Sequence, residues 1–99
     1  MILHSVYFWL ERDLDDTRRV AFLAALKSLA AIPTIRNFQC GSPIVSDRPV
    51  VDRTYDLAVV EQFDDLAGLA AYQVHPLHQE FLRQHAKDWA RIVVYDFAN

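Results

Sequence analysis

The sequence predicts an α+β domain on a split βαβ plan: four antiparallel strands with helices on one face, and a second copy of the sheet covering the other. Three observations carry that reading. Segments of strand period and of helical period follow one another in the order β-α-β-β-α-α-β. The opening strand is apolar on both faces, so something must cover each of them. The chain has 99 residues, 53 % of them apolar and 23 % charged; that length suits one domain spanning residues 1–99, and the apolar share leaves surface to spare for self-association.

Met1–Leu10 holds no Gly or Pro, is rich in β-branched and aromatic residues, and meets the charged cluster Glu11–Asp16 too soon for a full helix. Its side chains divide into His4, Val6, Phe8 and Leu10 on one face and Leu3, Ser5, Tyr7 and Trp9 on the other. From Asp15 or Asp16 the period turns helical, with Val20, Leu23, Leu26 and Ala30 on one stripe and Phe22 and Leu29 beside it. This helix runs to about Ala31; acidic residues at its start and Lys27 near its end suit the helix dipole, and Pro33 stops it. Thr34–Cys40 is a second strand.

Gly41–Arg53, with two Pro and two Asp, is a loop joining two antiparallel strands. Loops of that length are uncommon unless something orders them. Thr54–Phe63 alternates again, Tyr55, Leu57, Val59, Glu61 and Phe63 against Asp56, Ala58, Val60 and Gln62. Asp64 or Asp65 caps the next helix, whose face is marked by Leu66, Leu69, Ala70 and Gln73 and which stops before Pro76. Proline suits a first turn, and Leu77, Phe81, Leu82 and His85 recur at helical spacing, so a further helix runs to about Asp88. Arg91–Phe97 closes the plan as a strand, with Ile92, Val94 and Asp96 on one face and Val93, Tyr95 and Phe97 on the other.

Helices on this plan cover one face of the sheet. The other keeps roughly several hundred Å² of apolar surface, more than a monomer usually tolerates, and a two-fold partner is its simplest cover. Leu3, Tyr7 and Trp9 then belong to the dimer interior. The net charge of −3 with scattered Lys and Arg excludes a phosphate-neutralising stripe, so no nucleic acid partner is expected. No run reaches the roughly 18–20 apolar residues that cross a bilayer, and the N-terminus lacks the layout of a signal peptide, so a cytoplasmic protein with no membrane partner is expected. Cys40 stands alone and reads as a small buried hydrophobe. His75, His78 and His85 recur at offsets that invite zinc, but the Pro76 bend spoils their geometry, so neither metal nor cofactor is expected. Arg18, Arg19, Asp64 and Asp65 read as solvated helix ends.

Four segments together resemble the stress-responsive dimeric α/β-barrel (Dabb) family: ILHSVYFWL at the start, RTYDLAVVEQF over residues 53–63, YQVHPLH over 72–78 and WARIVVYDF over 89–97. The block Tyr-x-x-His-Pro-x-His, followed by Trp and then Tyr-Asp-Phe, is its most specific part. The resemblance implies ferredoxin-like subunits that pair sheet to sheet into a dimeric α+β barrel, with a small-molecule pocket between sheet and helices in each. Members include plant stress proteins and a plant polyketide cyclase that closes a ring by aldol chemistry. Its catalytic Tyr and His match Tyr72 and His78, its first-strand histidine matches His4, and its Asp near the end of the last strand matches Asp96. Where that cyclase has a third-strand His, this chain has Leu57, and larger residues, Glu80, Phe81 and Leu82, follow the block. A shorter pocket is implied.

Ring closure or isomerisation of a carbonyl compound needs a base active near neutral pH and a donor for the growing oxyanion, roles that suit His78 and Tyr72. A carboxylate bonded to one ring nitrogen holds a histidine in the tautomer whose other nitrogen is basic, and Asp96 is the candidate for that part. Around these the same faces set His4, Val6, Phe8, Val59, Phe81, Trp89, Ile92 and Val94 as ligand-binding residues, with His75 at the helix break as capping residue or ligand contact. The expected function is cofactor-independent acid–base chemistry of the cyclase, lyase or isomerase kind on an apolar carbonyl compound. The alternative is a non-catalytic stress or ligand-binding protein, in which Tyr72 and His78 fill core and bond to each other. Cofactor-free oxidation of aromatics rests on shared fold alone.

Overall fold

In a computed structural model describing Met1–Asn99, the alternation of the first ten residues becomes β1, Ile2–Leu10, with every even-numbered side chain buried and every odd-numbered one half-buried. There follow α1 (Asp16–Ser28) with a 3-10 turn at Leu29–Ala31, β2 (Asn37–Gly41), β3 (Leu57–Phe63), α2 (Leu66–Val74), α3 (Pro76–His85) with a 3-10 turn at Ala86–Asp88, and β4 (Trp89–Ala98). The sheet order is β2-β3-β1-β4 and every neighbouring pair is antiparallel. This is the α+β, ferredoxin-like split βαβ arrangement: β3 lies between β1 and β2, which α1 connects.

Each helix start has a chemical cause. Asp15 accepts from the backbone N–H of Arg18 at 2.8 Å and Asp65 from that of Gly68 at 2.8 Å, while α3 begins with Pro76 after His75. The core is a single cluster in which Phe22, Leu26, Leu29 and Ile32 press on Phe8, Val59 and Phe63, with Leu69, Tyr72 and Phe81 closing it from α2 and α3. The helical faces differ from those read off the sequence. In α1 the buried line is Phe22, Leu26 and Leu29, and Val20 is 69 % exposed; in α2 it is Leu69 and Tyr72, and Leu66 is 70 % exposed. Both segments carry apolar residues most of the way round, so the packing surface beneath them chose the face.

Strand ends also shift. β2 begins at Asn37 and not Thr34, because Pro33–Arg36 is held in a turn by Ile35 N–H donating to the Ile32 carbonyl. Residues 54–56 precede β3 as the ordered end of the long loop. There Thr54 Oγ1 accepts from the Trp9 indole at 2.9 Å, and Asp56 Oδ2 accepts from the Leu10 N–H and Arg12, each at 2.8 Å. The ordering that a loop of this length requires is thus supplied by β1. β4 starts two residues earlier than expected, at Trp89.

The helix-free face of the sheet is uncovered in the single chain: Tyr95 is 64 % and Phe97 56 % exposed, and Leu3, Tyr7 and Trp9 are half-buried. The Arg91 guanidinium lies 4.4 Å from the Trp9 ring centre on this face. No helix is long and apolar enough to cross a membrane.

Candidate functional site

Pro before a helix keeps its preceding residue out of the α region, and His75 is accordingly extended, ending α2 and beginning α3 at once. That break builds the site. In an unbroken helix residues six apart point about a third of a turn away from each other and lie more than one turn apart along the axis, yet here the rings of Tyr72 and His78 lie 4.6 Å apart, centre to centre. The last carbonyls of α2 lose their helical partners. Gln73's carbonyl accepts from His78 Nδ1–H at 3.0 Å and from the Gln79 amide at 2.9 Å. With its proton fixed on Nδ1, the neutral ring of His78 carries its lone pair on Nε2. Burial lowers the His78 pKa below its ordinary 6.5, against the Gln73 bond and with a smaller push from His4, so the ring stays neutral and able to take a proton.

Tyr72 and His78 border a cavity of about 240 Å³ between sheet and helices, below the common range of roughly 300–1,000 Å³ for small-molecule sites. Strand β1 lends His4, Val6 and Phe8, and β3 lends Val59. Ile92, Val94 and Asp96 enter from β4, and Phe81 from α3. Trp89 joins them because of a bulge: Trp9 pairs with Arg91 but Leu10 with Trp89, leaving Ala90 out of register and turning Trp89 onto the helix side. Leu26, Leu29 and Leu82 complete the apolar wall.

Two placements differ from the sequence reading. His75 does not line the cavity; its Nδ1 accepts from the Leu77 N–H at 3.1 Å and caps α3. Glu80 is not a filler, since it points outward to Arg83. Phe81 and Leu82 alone of that trio narrow the space. Leu57 sits in the core outside the lining, so no polar group replaces the histidine that the cyclase resemblance would put there.

The polar side of the cavity is a row across three strands. His4 stands opposite Asp96 on β4 and opposite Glu61 on β3. Its Nδ1–H donates to Asp96 Oδ1 at 2.5 Å, and its Nε2 is 4.0 Å from Glu61 Oε1, beyond hydrogen-bonding reach. The His4 and Tyr72 rings meet edge to face at 5.8 Å. Sequence reasoning grouped Glu61 with Leu57, Val59 and Phe63 on one face of its strand and gave it no role. It is fully enclosed and neither carboxyl oxygen has a hydrogen-bond partner. Burial pushes its pKa from 4.5 up to about 7, partly opposed by the Tyr72 hydroxyl. The same burial, with the Glu61 charge beside it, raises the Tyr72 hydroxyl well above its ordinary value. Carboxyl and hydroxyl thus sense each other across a gap that falls outside hydrogen-bond geometry.

A second polar cluster lies apart from the cavity. Asp88, buried, accepts from Arg18 at 2.5 Å and from His85 Nδ1 at 2.9 Å. Burial would raise its carboxyl, but the bonds from His85 and Arg18 together outweigh that and hold it below 3.8. Arg18 is therefore a tie between α1 and the start of β4, not a solvated helix end. Arg19 likewise donates to the Leu14 and Glu11 carbonyls, Asp65 is a cap, and Asp64 pairs with Arg36.

A protein-family model, the stress responsive A/B barrel domain (Dabb), matches residues 2–99. The uncharacterized protein SCO4036 of Streptomyces coelicolor is 37 % identical over 82 residues, 80 % of each chain. A dimeric ferredoxin-like protein of unknown function from Thermobifida fusca superposes with a TM-score of 0.81 at 31 % identity, over 99 % of this chain and 90 % of that one. The hydroxynitrile lyase of Passiflora edulis superposes with a TM-score of 0.82 over 99 % of this chain and 93 % of its own; at 21 % identity the likeness is one of fold.

Proposed function

This chain belongs to the stress responsive A/B barrel (Dabb) family, and from that premise we propose that it works as a homodimer, paired through its sheet faces, in which each cavity takes a small apolar carbonyl compound for cofactor-independent acid–base chemistry. The chemistry is of the cyclase, lyase or isomerase kind. His78 Nε2 removes a proton from carbon next to the carbonyl, and the Tyr72 O–H donates to the oxyanion that forms. His4, held by Asp96, orients the polar side of the pocket, while Val6, Phe8, Val59, Phe81, Trp89, Ile92 and Val94 supply the apolar fit.

The observation that carries this reading is the His78 tautomer: Nδ1 is committed to the Gln73 carbonyl, so the basic nitrogen is the one left for the cavity, next to the Tyr72 ring. A non-catalytic role would be favoured by a filled cavity in which Tyr72 and His78 bond to each other. Their side chains instead share no hydrogen bond, and space remains between them and β4. The pairing of subunits is supported by the exposed apolar sheet face and by the dimeric protein from Thermobifida fusca.

The test starts from a ligand that purifies with the protein, identified by mass spectrometry, and a screen of compounds of its class. His78→Ala should lower turnover by about 10²–10⁴, the usual worth of a general base, while stability stays within about 1 kcal/mol of the parent, as for substitutions away from core packing. Parallel loss of fold and turnover would assign His78 to the core instead.

A further inference from the structure

A charged side chain enclosed among apolar neighbours needs partners, and Glu61 has none. Its cross-strand neighbours are His4 on β1 and Phe38 on β2, and along its own strand Val59 and Phe63 share its face. No lysine or arginine lies within ion-pair distance of it; the sole basic group that near is His4, at 4.0 Å. The titratable groups facing it or its neighbours are His4 and, bonded to His4, Asp96 from β4, then Tyr72 from α2 and His78 from α3. Leu26 and Leu29 are what α1 adds to the cavity wall. Two negative charges on this row would share one histidine, whose Nδ1 already serves Asp96.

We propose that Glu61 is a positioning residue of the site: kept as a buried neutral carboxylic acid, with neither oxygen bonded, it leaves the Tyr72 O–H free to serve the cavity, and so selects a ligand bearing one anionic oxygen of the enolate or phenolate class. This rests on the role given above to Tyr72. A carboxylic acid held neutral in an apolar site, beside a tyrosine that serves an oxyanion, is established chemistry elsewhere. When Glu61 loses its proton the arrangement inverts. The carboxylate takes the Tyr72 O–H for itself, and its charge repels an incoming anion. The pocket is therefore an oxyanion receiver only while Glu61 keeps its proton, a condition that ends near pH 7.

The experiment measures binding of 2,4-dinitrophenolate, an aromatic oxyanion ionised throughout the range from about pH 5 to about pH 9, to the intact wild-type protein, E61Q and Y72F. Quenching of tryptophan fluorescence is the readout, Trp89 being in the cavity wall. For the wild type, affinity should be steady up to about pH 7 and then fall by about tenfold per pH unit, as linkage to one proton requires. Glu61→Gln, which cannot ionise, should bind with no such fall; any contribution from His78 persists in it and so cancels in the comparison. A fall in E61Q equal to that of the wild type would overturn the proposal. Unchanged binding by Y72F would overturn the role of Tyr72 itself, a separate result. As a check independent of any variant or ligand, the side-chain carbon of Glu61 observed by ¹³C NMR should titrate with a midpoint near 7. A carboxyl already ionised at about pH 5, or a wild type that binds no dinitrophenolate at any pH, would likewise overturn it.

Discussion

Enclosing a carboxyl group strips it of hydration worth several kcal/mol when charged, and the group responds by holding its proton. Glu61 does so from an ordinary value of 4.5 to about 7. Because the folded value lies above the unfolded one, the native state binds the extra proton between those limits, and stability is lost as pH rises through that window. The shift corresponds to roughly 3 kcal/mol. Relative to E61Q, the wild type should therefore lose roughly 3 kcal/mol of unfolding free energy between about pH 4 and about pH 8. Urea denaturation at fixed protein concentration checks this, and a difference that does not vary with pH would mean that Glu61 is ionised throughout. That Glu61 shares a face with Val59 and Phe63 was legible, since strand parity follows from the backbone alone. Its lack of a partner was not, because Phe38, His4 and Tyr72 reach it from three other elements.

At the scale of elements, the Pro76 break and the Asp88 cluster decide where the helices lie. The bend was readable from Pro76 itself, whereas the pairing of His78 with Tyr72 came only from the family resemblance. The role of His75 was open to two readings, and the extended backbone before Pro76 turns its ring to the α3 N-terminus. Arg18 and Asp88 are 70 residues apart in sequence, and nothing local marks them as partners. Removing Arg18 leaves Asp88 buried with His85 alone. Since the guanidinium is part-exposed, Arg18→Ala should cost about 1–2 kcal/mol at neutral pH, less than a fully buried pair would. In an Asp88→Asn background the cost should shrink by more than half; an equal cost in both backgrounds would show that Arg18 acts through packing and not through Asp88. The depressed Asp88 carboxyl makes this tie fully present above about 3.8 and lost as pH falls further.

At the scale of the whole molecule, the uncovered sheet face governs assembly. Tyr7 on β1 and Tyr95 on the edge strand β4 pack edge to face on it, 6.1 Å apart, and neither belongs to the core cluster. Tyr7→Glu with Tyr95→Glu should weaken self-association by at least about tenfold per substitution, as loss of aromatic contacts in an interface commonly does. Light scattering after gel filtration would then report a monomer of 11.4 kDa, with helix and strand content unchanged by circular dichroism. A double variant that still runs as a dimer would place the contact elsewhere.

What the sequence by itself determined is the set of features that local backbone geometry enforces: the order of elements, the split βαβ plan, the division of β1 and β3 side chains between two faces, and the helix break at Pro76. These follow from a two-residue strand period and from proline's fixed φ, neither of which needs a distant neighbour. Tertiary structure alone decided which stripe of α1 and α2 is buried, the bulge that turns Trp89 inward, the Arg18–Asp88–His85 tie, and the isolation of Glu61. Each of these is a contact between segments far apart in the chain. A helix with apolar residues most of the way round can dock in several rotations, and a buried acid shows its protonation state only when everything packed against it is known.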